Sequence, residues 1–585
     1  MDVLNKLRLV LLLFICWNTL SAQELSKQLI TIEFEHVTLN EALIQINALD
    51  QVRLSYNPDH ISKEKWIDES FENKSLDAIL KTLLGSEFEI KYRGSYIIIQ
   101  PKKEEVKKKH PIKLSGQVTD AETGEVIKDV TIYEVNKLDA TLTNDRGQFD
   151  LVVQAKTEYL TFAVSREHYQ DTIIQVRDAS EMSVSLKPEK KEKTSIVDRF
   201  EIETKKLVQF FAPKESRKNA RNVKMDEERF FQFSLVPMIG TNGKLSGQVT
   251  NKLSVNLLAG YAHGVKGVEL GGFYNIDRRG MTGLQMGGFG NAVGEESHGV
   301  QLAGFLNTTK GYTNGVQAAG FLNVVTDDVK GVQAAGFVNI SKKVEGVQAA
   351  GYVNLATQEL RGVQASGFVN LAKSINGTQA TGFVNVTKKV EGVQIAGFLN
   401  VTKKLKGVQL GIVNIADTVE RGVPIGLFSF VKSGLHQFGV EHNEFMPYQV
   451  SFRSGLHQFY SVLSVSIDPS KDNLWSYGLG FGSQFSLKKK WYGNLELVAH
   501  SIQNPQRDQE EDDFNLLNRL NLNVGYQMGK HLSINAGPSL NLYLTKVYDP
   551  VTDTYGDLDQ SGFYESTSDD LHLSAWVGYA VSLRF

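Results

Sequence analysis

Residues 331–400 read GVQAAGFVNISKKVEGVQAAGYVNLATQELRGVQASGFVNLAKSINGTQATGFVNVTKKVEGVQIAGFLN. The unit is G-V-Q-x-A-G-F-x-N followed by a polar connector. It restarts at Gly267, Gly283, Gly299, Gly315, Gly331, Gly346, Gly362, Gly377, Gly392, Gly407 and Gly422, so successive units lie 15 or 16 residues apart. A fixed short period means one structural unit stacked many times. Gln317, Gln333, Gln348, Gln364, Gln379, Gln394 and Gln409 recur, as do Asn323, Asn339, Asn354, Asn370, Asn385, Asn400 and Asn414. Two architectures fit. In a β-solenoid each unit is one coil, with Gln and Asn stacked as hydrogen-bonded ladders and Gly and Ala at tight corners. In a barrel each unit is one strand plus a turn, with Val332, Ala334, Gly336 and Val338 facing lipid. The connectors do not alternate between short and long, and the repeated face is poor in Tyr and Trp, which leans toward the solenoid.

Outward from the repeats the chain changes style. From about residue 445, Phe459, Leu463, Val465 and Ile467 alternate with polar residues, as do Tyr477, Leu479, Phe481, Phe485 and Leu487. Leu520, Leu522, Val524, Tyr526 and Met528 lead into the Gly529-Lys530 turn, and Leu532, Ile534, Ala536, Leu540, Leu542 and Leu544 return. The last run carries Leu573, Ala575, Val577, Tyr579, Val581, Leu583 and Phe585 on one face. Strands of this length and alternation read as transmembrane β-strands. The connections 503–513 and 548–570 read as outer loops. Phe231, Phe233, Leu235 and Ile239, then Leu253, Val255, Leu257, Ala259 and Tyr261, read as the first barrel strands, over 229–266. With the repeats as an inserted solenoid, the remaining strands suit a barrel of about 8 to 12; with the repeats as strands, about 20 or more. The terminal Phe585 resembles the end signal of outer-membrane barrels.

The N-terminal third alternates helix and strand signals. Ile30, Ile32 and Phe34 open a strand, and Thr38 caps a helix with Leu39, Ala42, Leu43 and Ile46 on its apolar face. Ser75 caps a second helix bearing Leu76, Ile79, Leu80 and Leu83, which Gly85 ends. These segments, with "FEHVTLNEALIQINALDQVRLSYN", "KSLDAILKTLLGSEFEI" and "GSYIIIQ", resemble the short N-terminal domain of secretins and TonB-linked transducers, over 25–102. The resemblance implies a periplasmic module that contacts an anti-sigma regulator of the inner membrane. After a charged linker, "LSGQVTDAETGEVIKDVTIYEVNKLDATLTNDRGQFDLVV" resembles the carboxypeptidase-regulatory-like β-sandwich, a non-catalytic accessory domain, over 112–187. Residues 188–228 are a charged linker in which Ile196, Val197, Phe200, Leu207, Phe210 and Phe211 could form one helix. There is no room there for a plug domain, which counts against TonB-driven import. The repeats, 267–425, resemble a family of bacterial surface-repeat proteins, and the C-terminal strands occupy 426–585.

The first 22 residues read as a signal peptide: Lys6 and Arg8, an apolar run Leu9–Trp17, then Ser21-Ala22 before Gln23. Cys16 is the sole cysteine, and Ile15 before it is too large for a lipoprotein cleavage site. The mature chain would then hold no disulfide and no thiolate metal site. Lys and Arg (63) nearly balance Asp and Glu (66) over 585 residues, which argues against nucleic-acid binding. The sequence offers no nucleophile motif, no metal-ligand spacing and no phosphate loop. His168 stands alone. Glu510, Glu511, Asp512 and Asp513 lack the ordered spacing of a calcium loop. Lys342, Lys343, Lys388, Lys389, Lys403 and Lys404 recur in the connectors and read as a solvated edge.

The expectation is therefore a multidomain, mainly β protein of the cell outer membrane with its N-terminal domains in the periplasm. It is not an enzyme; no catalytic, cofactor-binding or metal-binding residues are expected, and no cofactor. The expected partners are outer-membrane lipid, an inner-membrane anti-sigma regulator and an extracellular ligand of unspecified chemistry. Its role would be envelope signalling or surface interaction. A structural or adhesive repeat protein and an outer-membrane pore are the alternatives.

Overall fold

The computed structural model describes residues 29–49, 52–61, 65–93, 96–102, 110–155, 159–177, 180–189, 202, 205–225, 227–471, 473–506, 514–549, 553–558, 560–568 and 571–585. The expected signal peptide, most of the first linker, Ile196, Val197 and Phe200, and the acidic run 510–513 lie outside these residues. The chain is mainly β and divides into two compact units, residues 1–311 and 312–585.

The first unit opens with β1 (Leu29–Thr38), α1 (Leu39–Asn47), β2 (Leu54–Ser55), β3 (Trp66–Ser75), α2 (Leu76–Leu84), β4 (Phe88–Arg93) and β5 (Tyr96–Pro101). Thr38 and Glu41 form a reciprocal capping box, the Thr38 N–H donating to Glu41 Oε2 at 2.8 Å, so two otherwise orphaned donors of α1 are satisfied. Ser75 caps α2, and Gly85 ends it with φ +69°. Leu39, Leu43 and Ile46 of α1 meet Leu76, Ile79, Leu80 and Leu83 of α2 in one core. Each such side chain taken out of water contributes about 1.5–3 kcal/mol.

The next elements are β6 (His110–Asp120), β7 (Thr131–Glu134), β8 (Ala140–Leu142), β9 (Gln148–Ala155), β10 (Leu160–Ser165), β11 (Thr172–Val176) and β12 (Ser180–Leu186). They form two sheets, β11-β10-β7-β8 and β12-β6-β9, packed around Ile112, Leu114, Val130, Phe149, Phe162 and Val164. The two modules touch directly. Ile98 of β5 is buried with Tyr133 and Ala163, and Gln100 Nε2 donates to Asn136 Oδ1 at 3.3 Å.

The linker holds two helices, not one: α3 (Lys206–Phe211) and α4 (Lys214–Asn222). Pro213 breaks them, because it has no N–H to donate back along α3. Asn222 of α4 donates to the Asp129 carbonyl (2.6 Å) and to Thr131 Oγ1 (3.0 Å). Gln248 Nε2 donates to the Ala220 carbonyl at 2.6 Å.

The repeats form a β-solenoid of about 11 turns. In one coil the strand Val329–Ala335 is followed by the corner at Gly336-Phe337, the strand Val338–Ser341 and the opposite corner at Lys342-Lys343. Each strand pairs in parallel, in register, with its counterpart in the next coil, Gln333 opposite Gln348 and Asn339 opposite Asn354. Gln333, Asn339, Ser341 and Val344 point inward and are buried. The segments expected to open a barrel belong here too. Glu227–Val236 pairs in parallel with Val249–Asn256, which pairs in parallel with Gly264–Gly271. A meander of barrel strands would be antiparallel, so 229–266 is the start of the solenoid.

The second unit ends in eight long antiparallel strands: β13 (Leu435–Asn443), β14 (Tyr448–Leu456), β15 (Phe459–Asp468), β16 (Leu474–Lys488), β17 (Trp491–Gln503), β18 (Asn515–Gln527), β19 (Ser533–Thr545) and β20 (Leu571–Arg584). Each pairs with the next, and β20 pairs with β19 on one side and with β13 on the other. The order of pairing therefore returns to its first strand. Phe428–Val431 still belongs to the solenoid sheet, so these strands begin at Leu435 and not at 426. No helix among the described residues is long and apolar enough to cross a membrane.

Candidate functional site

Among the described residues, two buried polar systems and one exposed apolar surface stand out. The first system is the spine of the solenoid. Gln348 Nε2 donates to Gln333 Oε1 (2.9 Å), Gln364 to Gln348 (2.8 Å), Gln379 to Gln364 (2.7 Å) and Gln394 to Gln379 (2.7 Å). All these bonds point toward the N-terminus. The Asn ladder runs the other way: Asn354 Nδ2 donates to Asn370 Oδ1 at 3.0 Å, and Asn385 to Asn400 at 2.9 Å. Each Asn amide also donates to a backbone carbonyl, as Asn354 does to Ala365 at 2.6 Å. The amides thus satisfy one another and the backbone, as buried polar groups must.

In the first unit the Gln ladder ends on an acid. Gln301 Nε2 donates to Gln285 Oε1, and Gln285 Nε2 donates to both Glu269 Oε2 and Asp277 Oδ2, each at 2.8 Å. Asn256 Nδ2 (2.9 Å) and Ser254 Oγ (3.1 Å) donate to the other Glu269 oxygen. An acceptor without donors of its own is the natural end of a ladder whose N–H groups all point one way. Both carboxyls are fully buried. Burial and then the neighbouring Glu269 charge push Asp277 well above the usual carboxylate range; burial raises Glu269 as well, against the hydrogen bonds it accepts. Two adjacent carboxyls out of water resist ionising together.

A carboxyl whose folded value is raised adds stability that is fully present below its unfolded value, about pH 4, and is lost as pH rises through the folded value. Asp277→Asn mimics the protonated acid at every pH. It is expected to leave the first unit unchanged at pH 4, to stabilise it by on the order of 1 kcal/mol near neutrality, and to flatten the slope between. Thermal unfolding across pH 4–8 checks this; parallel profiles for variant and parent would contradict it.

The second system lies on the buried face of β13–β20. Arg453 donates from Nε to Glu496 Oε1 (2.7 Å) and from Nη2 to Glu496 Oε2 (2.9 Å) and Glu441 Oε1 (2.7 Å). Arg584 Nη1 (3.1 Å) and Tyr460 Oη (2.8 Å) also donate to Glu496 Oε1. Arg519 donates to Asn541 Oδ1 (2.9 Å) and Glu444 Oε2 (3.2 Å) and lies over the Phe445 ring, 4.6 Å from its centre. Apolar clusters flank these charges: Leu435, Tyr460, Val462 and Val498 on one side, and Phe445, Met446, Leu474, Leu517, Tyr543 and Trp576 on the other. The opposite face of the same strands is apolar and open: Leu479 is 41 % exposed, Leu497 56 %, Leu522 52 % and Val577 67 %. Aromatic side chains mark both ends of this face. Tyr448 stands opposite Ile467, itself opposite Trp475, and Trp491 stands opposite Tyr526.

None of the described residues forms a cluster of three or more metal-ligating side chains. His168 is exposed, at a positive φ of 70°, 3.9 Å from Glu167 Oε1. Of the connector lysines, Lys342 pairs with Asp327 (3.0 Å) and Lys389 with Glu391 (2.8 Å). A surface depression is lined by Asp129, Thr141, Leu142, Lys214, Glu215 and Lys218, of which Lys218 and Asp129 form an ion pair. No family model, curated protein or solved structure matches the chain.

Proposed function

We propose that this chain is a non-enzymatic, non-conducting outer-membrane anchor that holds a periplasmic solenoid and two N-terminal modules. The observation that carries this reading is the sorting of the eight final strands: ion pairs and amides on the buried face, Leu, Val, Phe, Tyr and Trp on the exposed one, with pairing that leads from the last strand back to the first. A water-soluble protein exposes contiguous apolar patches of only a few hundred Å², whereas alternation of lipid-facing apolar and inward polar residues is the pattern of a membrane barrel. Eight strands are the smallest such barrel, with an interior that side chains fill.

Orientation follows from the connections. At one end the strands join through 457–458, 489–490 and 528–532; at the other through 444–447, 469–473, 504–514 and 546–570. Short turns face the periplasm in outer-membrane barrels. The chain enters β13 at the short-turn end, so the solenoid and everything before it stand in the periplasm. That disfavours the adhesive reading, which needs the repeats outside the cell. The charged and apolar layers within the barrel disfavour the pore. The resemblance of residues 25–102 to the transducer module makes an inner-membrane anti-sigma regulator the partner class, and the packing of Ile98 and Gln100 on the second module gives that module a firm seat.

Crosslinking pull-downs from intact envelopes, with and without residues 25–102, test the partner. Recovery of an inner-membrane regulator with the full chain alone supports relay through the module; identical partners from both chains overturn it. In planar bilayers the purified protein is expected to give no single-channel steps. Regular conductance steps would replace the anchor with the pore.

A further inference from the structure

We infer that the aromatic edge of the solenoid docks on the periplasmic leaflet of the outer membrane, so that the solenoid lies along the lipid surface beside its barrel. The inference deepens the anchor reading and rests on it.

The outward residues of each coil are sorted by chemistry. In the coil beginning at Gly331 they are Val332, Ala334, Phe337, Val338 and Ile340, all apolar, and the charges Lys342, Lys343 and Glu345 sit together at the opposite corner. The coil beginning at Gly377 keeps the division except at Thr378, with Ala380, Phe383, Val384 and Val386 on one side and Lys388, Lys389 and Glu391 on the other. The charged corner carries ion pairs, Lys342 on Asp327 and Lys406 on Glu391 across coils and Lys389 on Glu391 within one. The apolar corner is a stack of rings: Phe321, Phe337, Tyr352, Phe368, Phe383 and Phe398, with centroids 4.8–5.2 Å apart and planes within 11°. Stacking covers both faces of each interior ring and leaves the rim open, 37–41 % exposed.

This ridge continues past Ile412 (46 % exposed) and Leu427 (45 %) to the barrel. Phe428, the next residue, stacks on Phe452 at 6.1 Å, and Phe452 shares its strand face with Phe438 and Leu463. Hydrogen bonds fix the junction: Ser461 Oγ donates to the Gly426 carbonyl and Ser454 Oγ to the Ser429 carbonyl, each at 2.8 Å. The apolar surface of the solenoid therefore runs through Phe428 and Phe452 into the surface that the barrel turns to lipid. A protein partner would be met by anchors seated in shaped pockets; rings stacked at near-constant spacing present a flat ridge instead. A lipid leaflet needs no shape match, only apolar area below an edge of charge, which is the chemistry of an interfacial amphipathic element.

The test uses the full chain with Cys16 replaced by Ser, reconstituted in phosphatidylethanolamine–phosphatidylglycerol vesicles carrying brominated acyl chains. Single-cysteine variants Phe368→Cys and Phe337→Cys on the ridge, Leu497→Cys on the barrel and Lys389→Cys on the charged corner are labelled with an environment-sensitive fluorophore. Unboiled gel migration selects folded protein. The expected result is blue-shifted emission and loss of intensity to bromine at Phe368, Phe337 and Leu497, and neither at Lys389. Quenching at Leu497 without quenching at the two ridge sites overturns the inference and leaves the barrel standing. Blue-shifted, unquenched ridge sites would mean a second copy or another protein covers the ridge, and also overturn it. No quenching at Leu497 removes the barrel reading and the inference together.

Discussion

Replacing Glu496 with Ala is expected to destabilise the C-terminal strands by about 3–5 kcal/mol, the usual loss when one partner of a buried ion pair is removed. Glu496 is 1 % exposed and answers Arg453, Arg584 and the Tyr460 hydroxyl at once. Without it the buried cluster carries two guanidinium groups against the one carboxylate of Glu441, and Arg453 keeps that partner while Arg584 loses its own. The unpaired charge has no water to solvate it, which is why the loss exceeds that of a surface pair, about 0–1 kcal/mol. The double variant Glu496→Ala, Arg584→Ala restores neutrality around Arg453–Glu441 and is expected to recover part of the loss. Urea titration of the folded, fast-migrating form measures both. A single variant within about 1 kcal/mol of the parent would mean that these charges are solvated, and the interior would then not be filled as described.

Gly377→Val is the second large effect, and it falls in the solenoid. Gly377 has φ +140°, and a Cβ built there would lie 2.0 Å from the Gly362 carbonyl oxygen in the preceding coil. The backbone strain alone is worth about 1–3 kcal/mol, and the overpacking between coils about 1–3 kcal/mol more. The carbonyl cannot swing aside, because it lies within an in-register parallel ladder that pairs Gly362 with Gly377 and Gln364 with Gln379. The neighbouring Thr378→Ala points outward in the same strand and is expected to change stability by less than about 0.5 kcal/mol. Thermal unfolding and limited proteolysis of the pair separate the two. Equal stability of Gly377→Val and Thr378→Ala would contradict the stacked-coil geometry.

The period of the repeats, the two ladders and the capped helices at Thr38 and Ser75 could all be read from the sequence, because each rests on local spacing. Spacing could not choose between coil and strand: a unit of 15 or 16 residues with apolar alternation suits one solenoid turn as well as one strand and its hairpin. The same ambiguity placed Phe231, Phe233 and Leu235 in a barrel. They are outward-facing and exposed, as lipid-facing residues would be, yet their strand pairs in parallel. Alternation reports which face a side chain takes, not which strand lies alongside. The acid pair left one sign that alignment of the units would have caught, since Glu269 stands where every later coil down to Gln409 has Gln. Glu441, Arg453, Glu496, Arg519 and Arg584 occupy inward positions of the final strands. Each looks like an ordinary polar residue until the ring of pairings brings them together.

The anchor reading is tested most directly by separating inner and outer membranes from cells making the full chain, washing the outer membranes with urea, and running the retained protein on gels with and without boiling. The chain is expected to stay in the washed outer-membrane fraction and to migrate faster unboiled than boiled, as a barrel held by strand pairing around its whole circumference does. Recovery in the soluble periplasmic fraction, or one mobility under both conditions, would contradict it.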